Sequence, residues 1–409
     1  MSVWQAKCGR HALAIFSVML LCAGCGGSAA SHGALASSDG GSAAVQSSPS
    51  LASGAVSSLP ALTQDQTTVQ ASSSFSALAS GFNLVGSMTI ARSRPIAVAL
   101  LDGRVLVAGG SANKAVDLYD PQTGRFSRTG SMAAGRGDGG SGVRLDSGSV
   151  LVAGGEDNST AQTPLPTAET YDVGSGQFQQ AGSMLQARDW STMTRLPDGR
   201  VLVCGGFDTK GNYLASAELY DPKSRRFTQT GHMLHARANH AAVLLANGKV
   251  LVVGGVDAGT SMELYDPKTG RFTDAGNLLT PRLLDFTATR LRDGRVLIVG
   301  GSSSSAEEIA ISSAELYDPA IRKSVRVHDM LTPRDGQTST LLSDGRVLVA
   351  GGGSASAEVF NPTTMTFTAT AAMRVARTDH SATLLGNGSV LLAGGAWDPN
   401  GATAEVYVP

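Results

Sequence analysis

The sequence predicts an all-β fold, a seven-bladed β-propeller, and three observations lead to it. A segment like 102–110, which ends in a glycine pair, occurs seven times at intervals of 43 to 51 residues, a period typical of propeller blades. Each copy has a turn glycine and then a short apolar run without alternation, which favours a strand covered on both faces. Fifty glycines and only 5% aromatic residues suit many tight turns between short strands.

Each repeat reads as four strands, here named a to d. In the third repeat, strand a lies within 191–196, strand b is 201–204, strand c is 217–221 and strand d is 227–231. Asp198-Gly199 between strands a and b predicts a type I′ hairpin turn, which needs positive φ at both central residues. The turn glycine recurs in every copy, at Gly103, Gly148, Gly199, Gly248, Gly294, Gly345 and Gly388.

The two ends of the repeat region complement each other. The last copy stops after strand c, whereas Phe82 to Met88 matches Phe126 to Met132, a strand d with the same Phe-to-Met spacing. We therefore predict that the N-terminal strand completes the last blade. Such sharing removes two exposed sheet edges.

These repeats resemble the kelch repeat, which is marked by the glycine pair after strand b, a tyrosine in strand c and an aromatic residue in strand d. The resemblance covers about 80–409 and implies a kelch-type propeller. It departs in strand d, where this chain has Phe and kelch repeats usually have Trp. The strand-c rings are Tyr119, Tyr171, Tyr220, Tyr265, Tyr317, Phe360 and Tyr407; the strand-d rings are Phe126, Phe178, Phe227, Phe272 and Phe367. In the fifth repeat Ser324 takes the ring position, so we expect a weaker or shifted outer strand there.

Some kelch-type propellers are enzymes, and a galactose-oxidase-like copper site is the first to test. It would need a cysteine-linked tyrosine, a second tyrosine and histidines, yet Cys204 lies against a glycine pair in a strand and is the only cysteine beyond residue 25. His232 and His235 lie near each other but have no obvious third ligand. The sequence therefore predicts no metal and no cofactor, and a buried, inert Cys204.

The N-terminus reads as an export signal. Residues 1–25 comprise a basic start, an apolar stretch too short to span a bilayer and a small-residue end. The order Leu21-Cys22-Ala23-Gly24-Cys25 resembles a bacterial lipobox and implies lipidation at Cys25; an ordinary cleaved signal is the alternative. Residues 26–79 are rich in Ser, Ala and Gly and predict a disordered linker. We expect an outer-membrane lipoprotein that faces the periplasm or the cell surface.

Binding groups are expected on one face of the propeller. The b–c loops and the connections from strand d to the next strand a share that face, and loops on a rigid scaffold are where binding residues concentrate. Exposed aromatics beside amides and carboxylates suit glycan or protein contacts; ordinary solvated loops are the alternative. The candidates are Asp157, Asn158, Asp208, Asn212, Tyr213, Glu307, Glu308, Trp397 and Asp398.

Two charged sets recur in every repeat on the same face. Arginine opens strand a and an acid opens strand c, so the arginine is expected to lie across the side-chain-free glycine pair and pair with the acid. Anion binding by the arginines is the alternative. The arginines are Arg92, Arg136, Arg188, Arg237, Arg282, Arg334 and Arg377; the acids are Asp117, Glu169, Glu218, Glu263, Glu315, Glu358 and Glu405.

These features predict a non-catalytic binding module for a glycan or a protein at the bacterial cell envelope, monomeric and attached to the membrane through its lipid. A net charge of −1 without a long basic run argues against nucleic acid as a partner. The alternative is a periplasmic carbohydrate-active enzyme, sugar mutarotase- or oxidase-like, that uses carboxylates at the propeller mouth. That alternative rests on fold-level analogy.

Overall fold

The computed structural model describes residues 78–111, 113–157, 162–304, 309–396 and 401–409. Within them, 28 strands form seven four-stranded antiparallel sheets, the blades of a propeller. The predicted signal peptide, Cys25 and nearly all of the predicted linker lie outside the described residues. In the described part of the chain, no helix is long and apolar enough to cross a membrane.

The strands follow the chain in order, with strands a to d of each blade given in turn. Blade 1 contains β2 (Ile96–Ala99), β3 (Val105–Ala108), β4 (Asp117–Asp120) and β5 (Arg125–Arg128). Blade 2 contains β6 (Gly140–Arg144), β7 (Val150–Gly154), β8 (Thr167–Asp172) and β9 (Gln177–Ser183). Blade 3 contains β10 (Thr192–Arg195), β11 (Val201–Cys204), β12 (Ala217–Asp221) and β13 (Arg226–Gln229). Blade 4 contains β14 (Ala241–Leu244), β15 (Val250–Val253), β16 (Ser261–Asp266) and β17 (Arg271–Asn277).

The remaining blades repeat this plan. Blade 5 contains β18 (Thr287–Arg290), β19 (Val296–Val299), β20 (Ala314–Asp318) and β21 (Lys323–Arg326). Blade 6 contains β22 (Gln337–Leu341), β23 (Val347–Gly351), β24 (Ala357–Asn361) and β25 (Thr366–Ala369). Blade 7 contains β26 (Ser381–Leu384), β27 (Val390–Ala393) and β28 (Ala404–Val408), and β1 (Gly81–Leu84) is its strand d.

The closure of blade 7 by β1 is as predicted. Gly81 pairs with Val408 and Phe82 with Tyr407, the register that joins strands c and d in the other blades. The Phe82 and Tyr407 rings lie 4.8 Å apart between centroids, as the equivalent rings do elsewhere. One sheet therefore holds both ends of the folded region, and the ring has no seam.

The core lies between the blades. All residues of β3, β11, β15, β19 and β27 are buried, because each strand b is covered by a blade on either side. Each of seven apolar clusters joins two neighbouring blades; one of them joins Val105 and Tyr119 of blade 1 to Leu391 and Val406 of blade 7. Strands a contact the strands a of both neighbouring blades and so line the central axis.

The turn between strands a and b differs from the predicted type I′ turn. In blade 4, the Gly248 N–H donates to the Leu245 carbonyl, and the Leu245 N–H donates to the Lys249 carbonyl. Gly248 has a φ of 81°, whereas Asn247 is not left-handed. This is a three-residue hairpin with glycine at the bulge. The Asn or Asp side chain instead accepts the N–H two residues on, as Asn247 does from Lys249 at 3.1 Å.

The outer strand of the fifth blade was expected to be weaker or shifted, and it is not shifted. β21 pairs with β20 in the usual register, with Tyr317 opposite Ser324. Blade 5 lacks the ring pair, that is, the contact between one aromatic ring on strand c and one on strand d. Among the described residues, the hydroxyls of both Tyr317 and Ser324 have no hydrogen-bond partner. Backbone pairing therefore sets the register without the aromatic contact.

Candidate functional site

The segment that leads from strand d of one blade to strand a of the next, here called a connector, is built around the repeated arginine. The arginine lies in the connector, three to five positions before strand a, so it does not open that strand as the sequence analysis expected. Seven positive side chains at this place would form an anion site if they were free. In all seven connectors the arginine is at most 1% exposed.

Each arginine side chain holds its own blade together. Arg188 Nη1 donates to the Gly205 carbonyl at 2.9 Å, and Nη2 lies 3.0 Å from Glu218 Oε1. The same two contacts, to the first glycine of the pair and to the acid of strand c, occur in every blade. The arginine–acid pairs are Arg92–Asp117, Arg136–Glu169, Arg188–Glu218, Arg237–Glu263, Arg282–Glu315, Arg334–Glu358 and Arg377–Glu405.

The arginine backbone joins the blade to its neighbour. The Gly155 N–H of blade 2 donates to the Arg188 carbonyl at 3.1 Å, and the Gly395 N–H of blade 7 donates to the Arg92 carbonyl at 2.8 Å. A Cβ at Gly205 would lie 2.5 Å from the Arg237 carbonyl oxygen, and Gly205 has a φ of 65°. The glycine pair thus allows two contacts that a side chain would block. The carbonyl of the first glycine accepts from the arginine side chain of its own blade, and the N–H of the second donates to the arginine carbonyl of the next blade. The recurring charges are scaffold, and the side chains do not project into the channel.

The channel mouth is formed by residues two or three positions after each arginine, and these differ from blade to blade. They are Arg94, Asp138, Trp190, Asn239, Asp285, Gly336 and Asp379. Five non-glycine members are left-handed, with φ between 52° and 57°. Strained backbone of this kind persists where surrounding contacts enforce it. Here neighbouring connectors are joined by hydrogen bonds such as Asp379 N–H to the Gly336 carbonyl at 2.8 Å.

Arg94 closes the mouth by reaching across the ring. Its two Nη atoms lie 3.0 and 3.1 Å from the two carboxylate oxygens of Asp285, a residue 191 positions away, and Nη2 lies 2.9 Å from Asp379 Oδ1. The guanidinium also lies 4.2 Å from the ring centroid of Trp190. Asn239 Nδ2 donates to Asp285 Oδ1 at 3.1 Å. We call Arg94, Trp190, Asn239, Asp285 and Asp379 the mouth network.

Further carboxyl groups, those of Asp138, Glu156 and Asp189, lie beside this network. Burial, with the charges of Glu156 and Asp138, raises the pKa of Asp189 well above its ordinary value. Burial and the Asp138 charge raise the pKa of Glu156 to about 7. Burial likewise raises the pKa of Asp379 to about 6, although Arg94 opposes the shift. Among the described residues, the mouth thus combines the Arg94 guanidinium with carboxyl groups whose pKa is raised by burial.

The loop residues predicted from sequence have a different place. Asp208 accepts the N–H groups of Lys210 and Asn212 at 2.8 and 2.9 Å, and Asn212 Nδ2 at 3.0 Å, so this loop of blade 3 is closed on itself. Tyr213 packs on Phe207 at 4.8 Å between ring centroids. Asp157 lies beside the acidic mouth, where its charge acts on Glu156. Asn158, Glu307, Glu308, Trp397 and Asp398 lie outside the described residues.

The mouth network was missed because sequence reasoning followed what repeats. The residues just after each arginine differ from repeat to repeat, so the sequence offers no pattern at these positions. The side chains that meet there come from connectors far apart in the chain. No local spacing in the sequence indicates that Arg94 and Asp285 form an ion pair.

His235, His240 and Cys204 make contacts within or between blades. His235 Nδ1 lies 3.6 Å from Glu263, which is already paired with Arg237. Cys204 is buried, and burial raises the pKa of its thiol. Its Sγ lies 3.7 Å from His240 Nε2, between blades 3 and 4. Across the described ranges, no group of three His, Cys, Asp or Glu side chains is placed to hold a metal ion.

Comparison with known proteins finds similarity both to a family model and to solved structures. Residues 196–234 match the family model of the Kelch motif. The fold is similar to that of a novel fungal alcohol oxidase with catalytic diversity among the AA5 family, solved in complex with copper: the TM-score is 0.67 at 18% identity, over 81% of this chain and 77% of that one. A sequence comparison with curated proteins gives no match. In this chain Cys204 and His240 are buried between blades 3 and 4.

Proposed function

Because the chain is a kelch-repeat β-propeller, we propose that it acts as an exported, non-catalytic binding module whose site is the channel mouth. One observation carries this proposal: side chains that differ from blade to blade meet at the mouth, on a scaffold that is otherwise repeated. The scaffold contacts of the seven arginines keep the connectors in place. The mouth residues take no part in those repeated contacts, and binding groups concentrate in variable positions on a rigid scaffold.

The chemistry of the mouth suits a glycan or a protein. Trp190 is half-buried and presents an aromatic ring beside carboxylates and the Asn239 amide. Such a combination stacks on apolar faces and hydrogen-bonds to hydroxyl or amide groups. Asp285 and Asp379 are held rigidly by Arg94, so a ligand would meet them without further ordering cost.

The module works at the cell envelope in this proposal, tethered through a lipid on Cys25 and the 26–79 linker. β1, the first strand after the predicted linker, starts at Gly81 beside the c–d turns. Palmitate labelling that is lost in Cys25→Ala would support the anchor, and labelling retained in that variant would rule it out.

The binding proposal is tested with the purified exported chain on a glycan array and by crosslinking to envelope proteins. Trp190→Ala should weaken binding about tenfold or more, a typical loss for an aromatic anchor. The matched control is Tyr213→Ala, which removes an aromatic ring from a loop outside the mouth network. If Tyr213→Ala abolishes binding and Trp190→Ala does not, the site lies in the loops and the mouth proposal is wrong.

A second candidate is a carbohydrate-active enzyme that uses the mouth carboxylates. The observation in its favour is the pKa of Glu156, about 7, a value suited to a general acid or base near neutral pH. The assay is turnover of a panel of sugars. Activity that disappears in Glu156→Gln, with the fold intact, would establish this candidate instead of the binding module.

A further inference from the structure

Strands c and d of blade 7, which are β28 and β1, are not joined by a turn among the described residues, unlike those of the other six blades. In a complete blade this c–d turn lies against the a–b turn of the preceding blade. Arg295 Nη2 of blade 5, for example, lies 3.5 Å from the Pro362 carbonyl oxygen of blade 6. At the corresponding place of blade 7 there is a groove of about 510 Å³. We call it the closure groove, and its walls include Leu342, Leu385, Tyr119, Pro121, Val408 and Leu78.

Two residues make this groove more apolar than the repeat requires. The last residue of strand c is Asp or Asn in the other six blades, and its side chain accepts an N–H of the turn, as Asp120 does from Gln122 at 2.8 Å. In blade 7 this residue is Val408, which pairs with Gly81. Leu78 has the place of Gln122, four positions before the strand-d ring. The six polar residues are Asp120, Asp172, Asp221, Asp266, Asp318 and Asn361.

The two apolar side chains keep surface that a partner can cover. Leu78 and Val408 are half-buried, and both pack against the apolar cluster that joins blades 7 and 1. Both also line the groove. Apolar surface that stays in water adds nothing to stability, whereas apolar surface that is covered stabilises the fold. The exchange of two polar turn positions for Leu and Val therefore favours an apolar group as the occupant of the groove.

The chain carries such a group next to the groove. Asn83 Nδ2 donates to the Ala79 carbonyl at 2.6 Å, so the backbone just before β1 is held in place, with Leu78 in the groove wall. The preceding residues lie outside the described ranges, and Phe75 is the only aromatic residue of 26–77. Three residues span at most about 11 Å when extended, which puts Phe75 within reach of the groove. The groove volume is in the range in which proteins hold small ligands, so it has room for an aromatic ring.

We propose that the Phe75 side chain occupies the closure groove and packs on Leu78 and Val408, in place of the c–d turn that blade 7 lacks. The predicted linker then ends near residue 74 instead of residue 79. A second copy of the chain is the competing occupant. Phe75 has the advantage over it, because only two residues separate Phe75 from the groove wall and the effective concentration of its ring there is high. This docking does not depend on the binding function of the mouth.

A fluorine label measures whether residue 75 is covered. Phe75 of the full exported chain is replaced by 4-trifluoromethylphenylalanine, Leu62 is replaced in a second sample, and the 19F relaxation caused by a soluble gadolinium chelate is compared. Position 75 should show about a third or less of the relaxation at position 62, which lies in the predicted disordered linker. Val408→Asp, which restores the residue type of other blades, should make the two positions equal. Val325→Asp, the same change at an exposed valine of blade 5, should leave the difference intact.

Urea denaturation supplies an independent measurement. Phe75→Ala should raise the equilibrium constant of unfolding about tenfold, the effect of uncovering an aromatic side chain, and Leu62→Ala should leave it unchanged. In the Val408→Asp background the effect of Phe75→Ala should fall to about threefold or less, because residues in contact are not additive. If Val408→Asp does not fold, Val408→Asn, with the residue type of blade 6, takes its place in both measurements.

Equal relaxation at positions 75 and 62 overturns the docking of Phe75. Protection of position 75 that neither variant of Val408 changes also overturns it, because the ring would then be covered elsewhere. Protection that is lost on dilution, together with dissociation of a dimer, would identify a second copy as the occupant instead. Ligand binding at the mouth should be the same in Phe75→Ala and the wild type, so failure of this docking leaves the proposed function standing.

Discussion

A single arginine per repeat carries an unusual number of contacts. The Arg188 side chain reaches the Gly205 carbonyl and Glu218, and its own carbonyl accepts from Gly155 of the preceding blade. Ion pairs this deeply buried contribute little over an apolar replacement, but the loss of one partner leaves a buried charge alone. The repeated arginine thus acts mainly by connecting neighbouring blades, and less by net electrostatic stabilisation.

Arg188→Ala should lower the free energy of unfolding by about 3–5 kcal/mol, because Glu218 would remain buried without its partner. Urea denaturation gives the value. Arg200→Ala is the control: its pair with Asp198 is partly exposed, so the loss should stay below about 1 kcal/mol. Losses of similar size in the two variants would contradict the role assigned to Arg188.

Glu156 gives the fold a pH dependence of known sign. Its pKa is about 7 in the folded chain against an ordinary 4.5, so unfolding between these values releases a proton. Stability from this group is therefore greatest below pH 4.5 and falls as the pH rises to about 7, by about 1–3 kcal/mol. Urea titrations of the wild type and Glu156→Gln should differ in slope across this window. Parallel curves would show that Glu156 titrates normally.

At the scale of the strand and the turn, prediction from sequence worked where a pattern recurs. The glycine pair, the aromatic ring of strand c and the turn glycine identified every blade, and the spacing of Phe82 to Met88 identified β1. The predicted turn type was wrong. In a three-residue hairpin only the glycine has a positive φ, and the residue types do not distinguish this hairpin from a type I′ turn. The mouth network was missed for another reason: its members follow no repeated pattern along the chain, and only the closed ring brings them together.

The fifth blade offers a test of the ring pair as a separable contact. Ser324→Phe should place a ring opposite Tyr317 and stabilise the protein by about 0.5–1.5 kcal/mol beyond the area it buries, since the register is already correct. Phe227→Ser in blade 3 is the reciprocal change and should destabilise by a few kcal/mol, at the lower end of the cost of removing a buried Phe. Destabilisation by Ser324→Phe would mean that the side chains around residue 324 leave no space for a ring.

At the scale of the whole molecule, the ring depends on β1. Deletion of residues 1–88 should lower the melting temperature far more than deletion of residues 1–79, because only the longer deletion removes Phe82 and the strand that pairs with β28. Loss of one buried aromatic side chain alone costs about 3–5 kcal/mol. Differential scanning calorimetry measures the difference. Equal melting temperatures in the two truncated proteins would contradict the closure of blade 7 by β1.

The pairing of Gly81 with Val408 has a consequence for the chain's connectivity. The other blades join strands c and d with short turns, such as the four residues between Asp221 and Arg226. A turn of that kind could join residue 409 to residue 80 and make the folded polypeptide a continuous circle. Reopening it at the turn after Asp221 would give a circular permutant with new ends and the same arrangement of sheets. The numbering of the blades would then depend on the position of the new ends, whereas the arrangement of the sheets would stay the same.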